Sequence, residues 1–325
     1  MKRKVSAWLM AFAVLALCLT GCGSRTEEAE PASAEENKET QEEQSEADKE
    51  DEMTSETAEK SKDTAILVVS FGTSYNESRD ITIGAIEEAI AEAFPKYEVR
   101  RAFTSQIIID KLKERDGLEI DNVQEALDRA VADGIRTLIV QPTHLMDGYE
   151  YTDLAEELEE YESSFDQIVL GAPLLTSDED FDQVIAAITD ATADYVDDET
   201  AIVFMGHGTE ADSNEVYEKL QEKLTAAGFS DYYIGTVEAS PSLEDIRASL
   251  KEAGCYKKVV LEPLMVVAGD HANNDMAGEE EDSWKSVLTA DGYEVECLIH
   301  GLGENEAIRD IYVSHVQAAM GNMTK

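Results

Sequence analysis

Three residues that lie far apart in the chain could together hold a divalent metal ion. His207 sits between two glycines in the stretch FMGHGTEADSNEVY, just after the apolar run AIVF. Glycine accepts positive φ and gives little steric cover, so this imidazole would project into open space at a strand end. Glu238 and His271 also follow apolar runs, in GTVEAS and AGDHANNDMAG. Imidazole and carboxylate ligands suit divalent cobalt, nickel, iron or zinc.

The spacing of these three residues is by itself a weak metal signal, because it is too long for a local motif such as H-E-x-x-H. His207 could instead be a cap or a hydrogen-bonded core residue, Glu238 a surface carboxylate, and His271 a solvated loop residue. Asp270 and Asp275 flank His271, and either could orient its imidazole from behind.

The elements that must position these residues can be read from hydrophobic periodicity. From Thr64 onward, short apolar runs such as AILVVSF and TAIVFMG alternate with amphipathic stretches of helical spacing. Buried runs separated by helices predict parallel strands joined by right-handed crossovers. The fold class is therefore α/β.

The two halves of this region match in order and spacing, which predicts an internal duplication. SFGT at 70–73 aligns with GHGT at 206–209, and TLIVQPTHLMDGYE aligns with KVVLEPLMVVAGDH. We expect two similar lobes, 64–197 and 198–325, each a parallel sheet flanked by helices, with the last helix able to pack on the first lobe. The lobes would face each other across a cleft lined by the carboxyl ends of strands.

The alignment also shows where the lobes differ. The three candidate metal ligands of the second lobe align with residues of other types in the first. His207 aligns with Phe71, Glu238 with Thr104, and His271 with Glu150. Neighbouring strand ends are ~5 Å apart, so side chains from successive strand ends can meet at one ion. The duplication therefore supports a metal site more strongly than the spacing of the three residues does.

The first 63 residues do not have the pattern of a folded domain. MKRK, the apolar run VSAWLMAFAVLALCL and the ending LTGC predict a signal peptide over 1–21 and a lipobox whose Cys22 is lipidated, with an uncleaved anchor as the alternative. Residues 22–63 form an acidic segment without aromatic residues, typical of a disordered tether. We expect an exported protein, lipid-anchored to the outer face of the cytoplasmic membrane, or to the periplasmic membrane surface in a Gram-negative cell.

Charge and motif content exclude several functions. The chain has a formal net charge of −45, which argues against nucleic acid as a partner, attracts divalent cations and disfavours long-range attraction of anions. The GHGTE segment lacks the lysine and spacing of a P-loop, and no G-x-S-x-G elbow is present. No nucleotide cofactor is therefore expected. Cys255 and Cys297 either pair or, as the favoured interpretation, remain small buried thiols.

Segments between Thr64 and His315 resemble the anaerobic cobalt chelatases, which are the sirohydrochlorin cobaltochelatases of cobalamin biosynthesis and relatives of the ferrochelatases. They include ILVVSFGTSYNESR, VQPTHLMDGYEY, FMGHGTE, GTVEASPS and EPLMVVAGDHANNDMAG. The resemblance implies an enzyme of two chelatase-like lobes that inserts Co²⁺ into a tetrapyrrole. It also implies that His207, Glu238 and His271 hold the ion. Ni²⁺ and Fe²⁺ are compatible with the same ligands.

The chemistry of metal insertion suggests further roles in the cleft. His207 and Glu238 would assist the removal of pyrrole protons. The opposite face of the macrocycle would rest on the first lobe, against Ser70, Phe71, Gly72, Thr73, Ser74 and Glu150. Arg79, Arg100 and Arg101 could meet substrate carboxylates, although a solvated or salt-bridged role is favoured for each. His144 is expected to be a satisfied structural histidine, with cleft lining as the alternative.

The predicted export leaves the substrate open, since sirohydrochlorin is made in the cytoplasm. A haem-like tetrapyrrole is a second possibility. The rival hypothesis is a lipid-anchored receptor that captures metal or tetrapyrrole for uptake without turnover. A homo-oligomer is compatible with either function.

Overall fold

Two parallel four-stranded sheets form the framework of the computed structural model, which describes residues 60–323. The predicted signal peptide, Cys22 and nearly all of the predicted tether lie outside the described residues. Within that part of the chain, no helix is both long and apolar enough to cross a bilayer.

The first sheet has the strand order β2-β1-β3-β4 and the second the order β6-β5-β7-β8. Their central strands are apolar and buried on both faces, as parallel strands covered by helices require. The α/β class and the two-sheet arrangement predicted from periodicity are confirmed. The strands are β1 (Thr64–Ser70), β2 (Glu98–Phe103), β3 (Thr137–Pro142), β4 (Gln167–Leu170), β5 (Thr200–Gly206), β6 (Tyr232–Thr236), β7 (Lys258–Pro263) and β8 (Glu294–Cys297).

Helices connect the strands and cover both faces of each sheet. Three of them begin at capping boxes, in which Asn122, Ser177 and Ser242 accept from the third residue of the helix. The helices are α1 (Asn76–Arg79), α2 (Ala85–Ala93), α3 (Gln106–Asp116), α4 (Val123–Ala132), α5 (Tyr149–Tyr161), α6 (Asp178–Ala191), α7 (Glu215–Ala226), α8 (Leu243–Ala253), α9 (Trp284–Ala290) and α10 (Glu306–Gly321).

The strand ends reproduce most of the predicted duplication. Ser70 ends β1 as Gly206 ends β5, so Phe71 and His207 occupy the same place in their lobes. Each is followed by a glycine in the left-handed region, with φ of +96° in the first lobe and +86° in the second. The two lobes therefore share the same turn at the mouth of their first strand.

The match predicted for the second strands is wrong by one residue. The backbone N–H of Glu238 donates to the carbonyl of His207, just as that of Ser105 donates to the carbonyl of Phe71, at 2.9 and 3.3 Å. Glu238 is therefore the counterpart of Ser105 and not of Thr104. The connection from β1 to β2 is longer than that from β5 to β6, so the sequence offset that aligns the first strands does not align the second strands.

The two lobes exchange helices. α6 precedes the second sheet in the chain yet packs on it: the Thr192 hydroxyl just beyond its end lies 2.9 Å from the Tyr232 hydroxyl. α10 follows the second sheet yet packs on the first: the Tyr312 hydroxyl donates to the Thr143 carbonyl at 3.0 Å. One apolar cluster consequently runs through both lobes. This shared core fixes the width of the cleft.

Candidate metal centre and interlobe cleft

The loop after β5 presents His207 to the cleft. Gly208 has φ of +86°, and a Cβ there would lie 2.8 Å from the Ala239 backbone and side chain, so only glycine fits. Below the loop, the buried ring of Tyr217 lies so close to Gly206 that any side chain at residue 206 would overlap it. The Gly208 N–H donates to the Tyr217 hydroxyl at 3.3 Å. These contacts hold the imidazole outward, half exposed.

Glu238 and His271 reach the same point from different elements. Glu238 lies two residues beyond β6, and its N–H donates to the His207 carbonyl. His271 does not lie at a strand tip, as the sequence predicted, but eight residues after Pro263. It occupies the first turn of a short helical segment that continues through Ala272–Met276. A helical turn thus brings this ligand back over the strand ends.

The three side chains converge as a metal site would require. Each of His207, Glu238 and His271 offers a ligand atom, and these atoms all lie within 4.8 Å of one another. The Nε2 of His207 is 3.9 Å from the Glu238 carboxylate, and the two imidazole rings meet edge to face with centroids 4.7 Å apart. Atoms bonded to one ion at about 2.1 Å sit within about 4.2 Å of each other. Small rotations of these partly exposed side chains would close the remaining gap.

Each histidine has a hydrogen-bond partner at Nδ1, which leaves its Nε2 free to bind a metal ion. The Nδ1 of His207 lies 2.7 Å from the Gly208 carbonyl, and an N–H there leaves the Nε2 lone pair for a ligand. The Nδ1 of His271 lies 2.7 Å from the Asp275 carboxylate, which gives the carboxylate–histidine–metal pattern. Of the two flanking acids, Asp275 orients the ring. Asp270 instead accepts from Asn274.

The cleft between the lobes has a volume of about 580 Å³ and a mainly apolar lining. This size lies in the range of small-molecule sites. The candidate metal ligands lie on its second-lobe wall. The first-lobe wall includes all six residues that the sequence predicted for substrate contact: Ser70, Phe71, Gly72, Thr73, Ser74 and Glu150.

Not every one of the six offers a free group to a substrate. The Phe71 ring is about half exposed and presents an apolar surface to the cleft. Ser70 is buried, and its hydroxyl accepts from Thr143 at 2.8 Å. The Thr73 hydroxyl accepts from the N–H of Tyr75. The hydroxyls of Ser70 and Thr73 therefore stabilise the turn, whereas the side chains of Phe71 and Glu150 face the cleft.

The arginines considered for substrate carboxylates lie in ion pairs outside the cleft. Arg79 pairs with Asp80, Arg100 with Glu98 and Asp133, and Arg101 with Glu87. Among the described residues that line the cleft there is no lysine or arginine. The salt-bridged role favoured from sequence is the one observed.

His144 differs from the sequence expectation. It lines the cleft and is only 8% exposed, yet neither ring nitrogen has a hydrogen-bond partner among the described residues. The expectation of a satisfied structural histidine is therefore wrong. Burial lowers the pKa of His144 to about 4, so its imidazole is neutral at pH 7.

Two supporting residues escaped the sequence analysis. Tyr217 braces the His207 turn, and Tyr75 of the first lobe reaches across to Asp270, with its hydroxyl 3.4 Å from the carboxylate. Tyr217 closes the stretch FMGHGTEADSNEVY, ten residues after His207, so its place one helical turn into α7 was a readable signal. No sequence pattern indicated the Tyr75 contact, because it joins residues 195 positions apart.

The other histidines and cysteines among residues 60–323 lie away from this site. His315 is buried between α10 and α6, with Nε2 3.0 Å from Asp180. His300 is exposed and bonds Glu304. Cys255 and Cys297 are free thiols, so they do not pair, but the expectation that both are buried is wrong: Cys255 is exposed and Cys297 is partly buried.

Sequence comparisons agree with the geometry. The family model described as cobalt chelatase (CbiK) matches residues 64–321. A sirohydrochlorin cobaltochelatase of Salmonella typhimurium is 39% identical over 256 residues, covering 79% of this chain and 96% of the relative. The sirohydrochlorin cobaltochelatase CbiKC of Nitratidesulfovibrio vulgaris is 34% identical over 257 residues, covering 78% of this chain and 90% of the relative.

Solved structures show the same fold. SirB of Bacillus subtilis, determined with Fe³⁺, superposes with a TM-score of 0.59 at 16% identity, covering 80% of this chain and 96% of that protein. At that identity the likeness concerns the fold alone. Because the family match and both relatives span nearly all of the described residues, this chain belongs to the cobalt chelatase (CbiK) family and is a chelatase enzyme.

Proposed function

We propose that this enzyme inserts Co²⁺ into sirohydrochlorin, and that His207, Glu238 and His271 present the ion at the mouth of the interlobe cleft. The observation that carries the proposal is the convergence of these three ligand atoms within 4.8 Å, on the wall of a cleft of about 580 Å³. Relatives whose names state this activity support the choice of substrate. The ligand types are also compatible with Ni²⁺ and Fe²⁺.

Metal transfer requires a site that binds the ion without enclosing it. Three protein ligands leave coordination positions open on the cleft side, where macrocycle nitrogens can replace the protein ligands one at a time. His207 and Glu238 are about half exposed, so their side chains can turn with the departing ion. His207 and Glu238 also lie where a proton leaving the ring could be accepted.

The first-lobe wall would support the macrocycle. Phe71 offers an exposed aromatic face, and a flat conjugated ring gains from stacking on such a surface. Because the described lining has no lysine or arginine, we propose that the carboxylate side chains of the tetrapyrrole point out of the cleft into solvent.

The proposal is tested by the absorbance change that accompanies cobalt insertion. The full-length chain in detergent is mixed with sirohydrochlorin and Co²⁺, and the rate is compared with that of the spontaneous reaction. An enzymatic rate well above the spontaneous one supports the proposal. Tight tetrapyrrole binding with no gain in rate would support the receptor alternative, which finds no support among the relatives.

We also propose that the protein is exported and that a lipid on Cys22 anchors it. The anchor would hold it at the outer face of the cytoplasmic membrane, or at the periplasmic membrane surface in a Gram-negative cell. The support is the order of charged, apolar and small residues before Cys22. Cell fractionation tests it: the wild-type chain should be found with membranes, and Cys22→Ser should remove lipid labelling. A substrate delivered outside the cytoplasm could then be a haem-like tetrapyrrole. A parallel assay with protoporphyrin distinguishes such a substrate from sirohydrochlorin.

A further inference from the structure

His144 occupies an unusual position on the first-lobe wall of the cleft. The residue is 8% exposed, and both its Nδ1 and its Nε2 are shielded from solvent and without hydrogen bonds to described residues. Buried polar atoms in native proteins are almost always paired, and an orphaned one costs roughly 1–3 kcal/mol. Met265 stands at the matching position of the second lobe, so the fold itself does not require an imidazole there.

The carboxylate of Glu150 lies close to this imidazole. The two residues approach with His144 Nε2 3.8 Å from Glu150 Oε2, just beyond hydrogen-bond distance. The Glu150 side chain is about half exposed and lines the cleft. A bound macrocycle can therefore reach Glu150, whereas His144 also lines the cleft but is almost fully buried.

Burial favours the neutral form of both groups in this pair. Burial raises the pKa of Glu150, His207 across the cleft lowers it, and Asp153 on the same helix raises it. Burial also keeps His144 neutral, with one N–H and one free lone pair. A neutral imidazole can accept a hydrogen bond from a protonated carboxyl group but gains nothing from charge attraction to a carboxylate.

We propose that His144 is a positioning residue for proton removal: it accepts a hydrogen bond from Glu150 once the Glu150 carboxylate has taken a proton from a macrocycle nitrogen. This inference rests on the proposed function and extends it to a group on the wall opposite the metal ligands.

The step balances without a further reactant. The pyrrole N–H bond breaks, and its electron pair stays on nitrogen and forms the bond to Co²⁺. The proton bonds to a Glu150 carboxylate oxygen, whose new O–H is donated to the unpaired His144 nitrogen. Glu150 then releases the proton to water through its exposed half, and a second proton leaves by the same route.

The test uses His144→Met, because Met265 shows that this side chain fits the equivalent place in the fold. We expect kcat to fall about tenfold, as the loss of one hydrogen bond in the transition state would produce, with Co²⁺ affinity unchanged. A hydrogen bond to the protonated form raises a carboxyl pKa, so its loss should move the acid limb of kcat/KM to lower pH. His144→Gln keeps an acceptor oxygen and should restore part of the rate.

The matched control is His300→Met, since His300 is an exposed histidine bonded only to Glu304. Its kcat and pH profile should equal those of the wild-type enzyme. A second readout needs no turnover: carbon-13 NMR of labelled glutamate in the metal-free protein should show a lower Glu150 pKa in His144→Met. That measurement still tests the pairing if wild-type enzyme inserts no cobalt, which would refute the proposed function alone.

Three outcomes would overturn the inference. An unchanged kcat in His144→Met removes any role for the imidazole. A lower kcat with an unmoved acid limb indicates general structural damage. An acid limb shifted to higher pH means that His144 donates to the ionised carboxylate instead. If His144→Met does not fold, the same NMR titration of His144→Ala, which also lacks the acceptor, decides the question: an unchanged Glu150 pKa overturns the inference.

Discussion

At the scale of single residues, the candidate metal centre depends on which imidazole nitrogen is left free. Gly208 and Asp275 each occupy an Nδ1, of His207 and His271 respectively. Both rings therefore offer Nε2 toward Glu238 and the cleft. Main-chain and side-chain partners of this kind set the tautomer and aim of a ligand before any ion arrives.

Replacing His207 by alanine should reduce cobalt insertion at least 100-fold. The substitution removes the ligand closest to Glu238 and a proton acceptor, and such groups each contribute roughly 10²–10⁴-fold to a rate. Tetrapyrrole binding should be nearly unchanged, because the apolar cleft remains intact. Insertion kinetics and fluorescence titration measure the two effects, with His300→Ala as the control. Parallel losses of binding and rate would argue against a metal role.

Asp275→Asn should weaken Co²⁺ binding by about 10–100-fold, the usual effect of removing an outer partner of a metal-bound histidine. The amide no longer carries the charge that strengthens the His271 ligand, although its shape is the same. Calorimetric titration with Co²⁺ measures the change. Asp270→Asn is the matched control, because Asp270 flanks His271 but bonds Asn274 and Tyr75. Equal effects of the two substitutions would contradict the assignment.

At the scale of elements, the site is made by the segments that follow parallel strands. Two ligands come from short loops after β5 and β6, and the third comes from a helical turn beyond β7. β5 lies between β6 and β7 in the sheet, so all three segments leave the same edge as neighbours. The tight turn after β5 is the element with the least freedom to vary.

Gly208→Ala should destabilise the fold and slow insertion together. A left-handed backbone costs a non-glycine residue about 1–2 kcal/mol, and the clash with Ala239 adds roughly 1–3 kcal/mol. Gly228→Ala measures the backbone cost without the clash. Gly228 also has positive φ, +95°, but no atom lies within 4 Å of an added Cβ there. Urea unfolding and insertion rates give the comparison. Equal destabilisation in both variants would refute the packing argument.

At the scale of the whole molecule, exchanged helices and a large negative charge set the behaviour of the cleft. α10 of the second half packs against the first sheet, and α6 of the first half packs against the second. His315 and Asp180 link the two exchanged helices. The lobes are thereby held in one relative arrangement around a shared core.

The α6–α10 contact should make stability depend on pH below about 4. Burial opposes ionisation of Asp180, but the Ser177 N–H and His315 outweigh it and lower the pKa of Asp180. The contribution is complete above the ordinary Asp pKa and is lost as pH falls through the lowered value. Asp180→Asn should lose about 1–3 kcal/mol at pH 7 and show a shallower decline on acidification.

Urea unfolding at pH 7, 4 and 3 checks this prediction. Asp182→Asn on the same helix is the control, since Asp182 is exposed and forms only a surface ion pair with Lys223. Parallel declines in Asp180→Asn and the wild-type protein would contradict the linkage.

The net charge of −45 should act in opposite directions on the two substrates. Raising the salt concentration to physiological strength shortens the screening length to about 8 Å. The KM for Co²⁺ should then rise and the KM for the carboxylate-bearing tetrapyrrole fall, each roughly two- to tenfold. Steady-state kinetics at several salt concentrations test this, with sucrose at matched osmolality as the control. Changes of the same sign would exclude an electrostatic cause.

The sequence by itself determined the fold class, the duplication and the identity of the three residues that converge. Short apolar runs and the 3.6-residue helical period are local properties of a chain, and aligning the two halves placed the three residues at the ends of successive predicted strands. His207 could be singled out because two glycines around an imidazole have few structural uses. The first-lobe cleft residues followed from the same alignment.

Only the tertiary structure decided the details that depend on loops and on distant contacts. The counterpart of Glu238 is Ser105 and not Thr104, because the connection between the first and second strands differs in length between the two lobes. His144 had the signature of an ordinary core histidine, yet its nitrogens have no partners among the described residues. Whether a buried polar group is paired depends on every element packed around it, and one-dimensional spacing does not encode those neighbours.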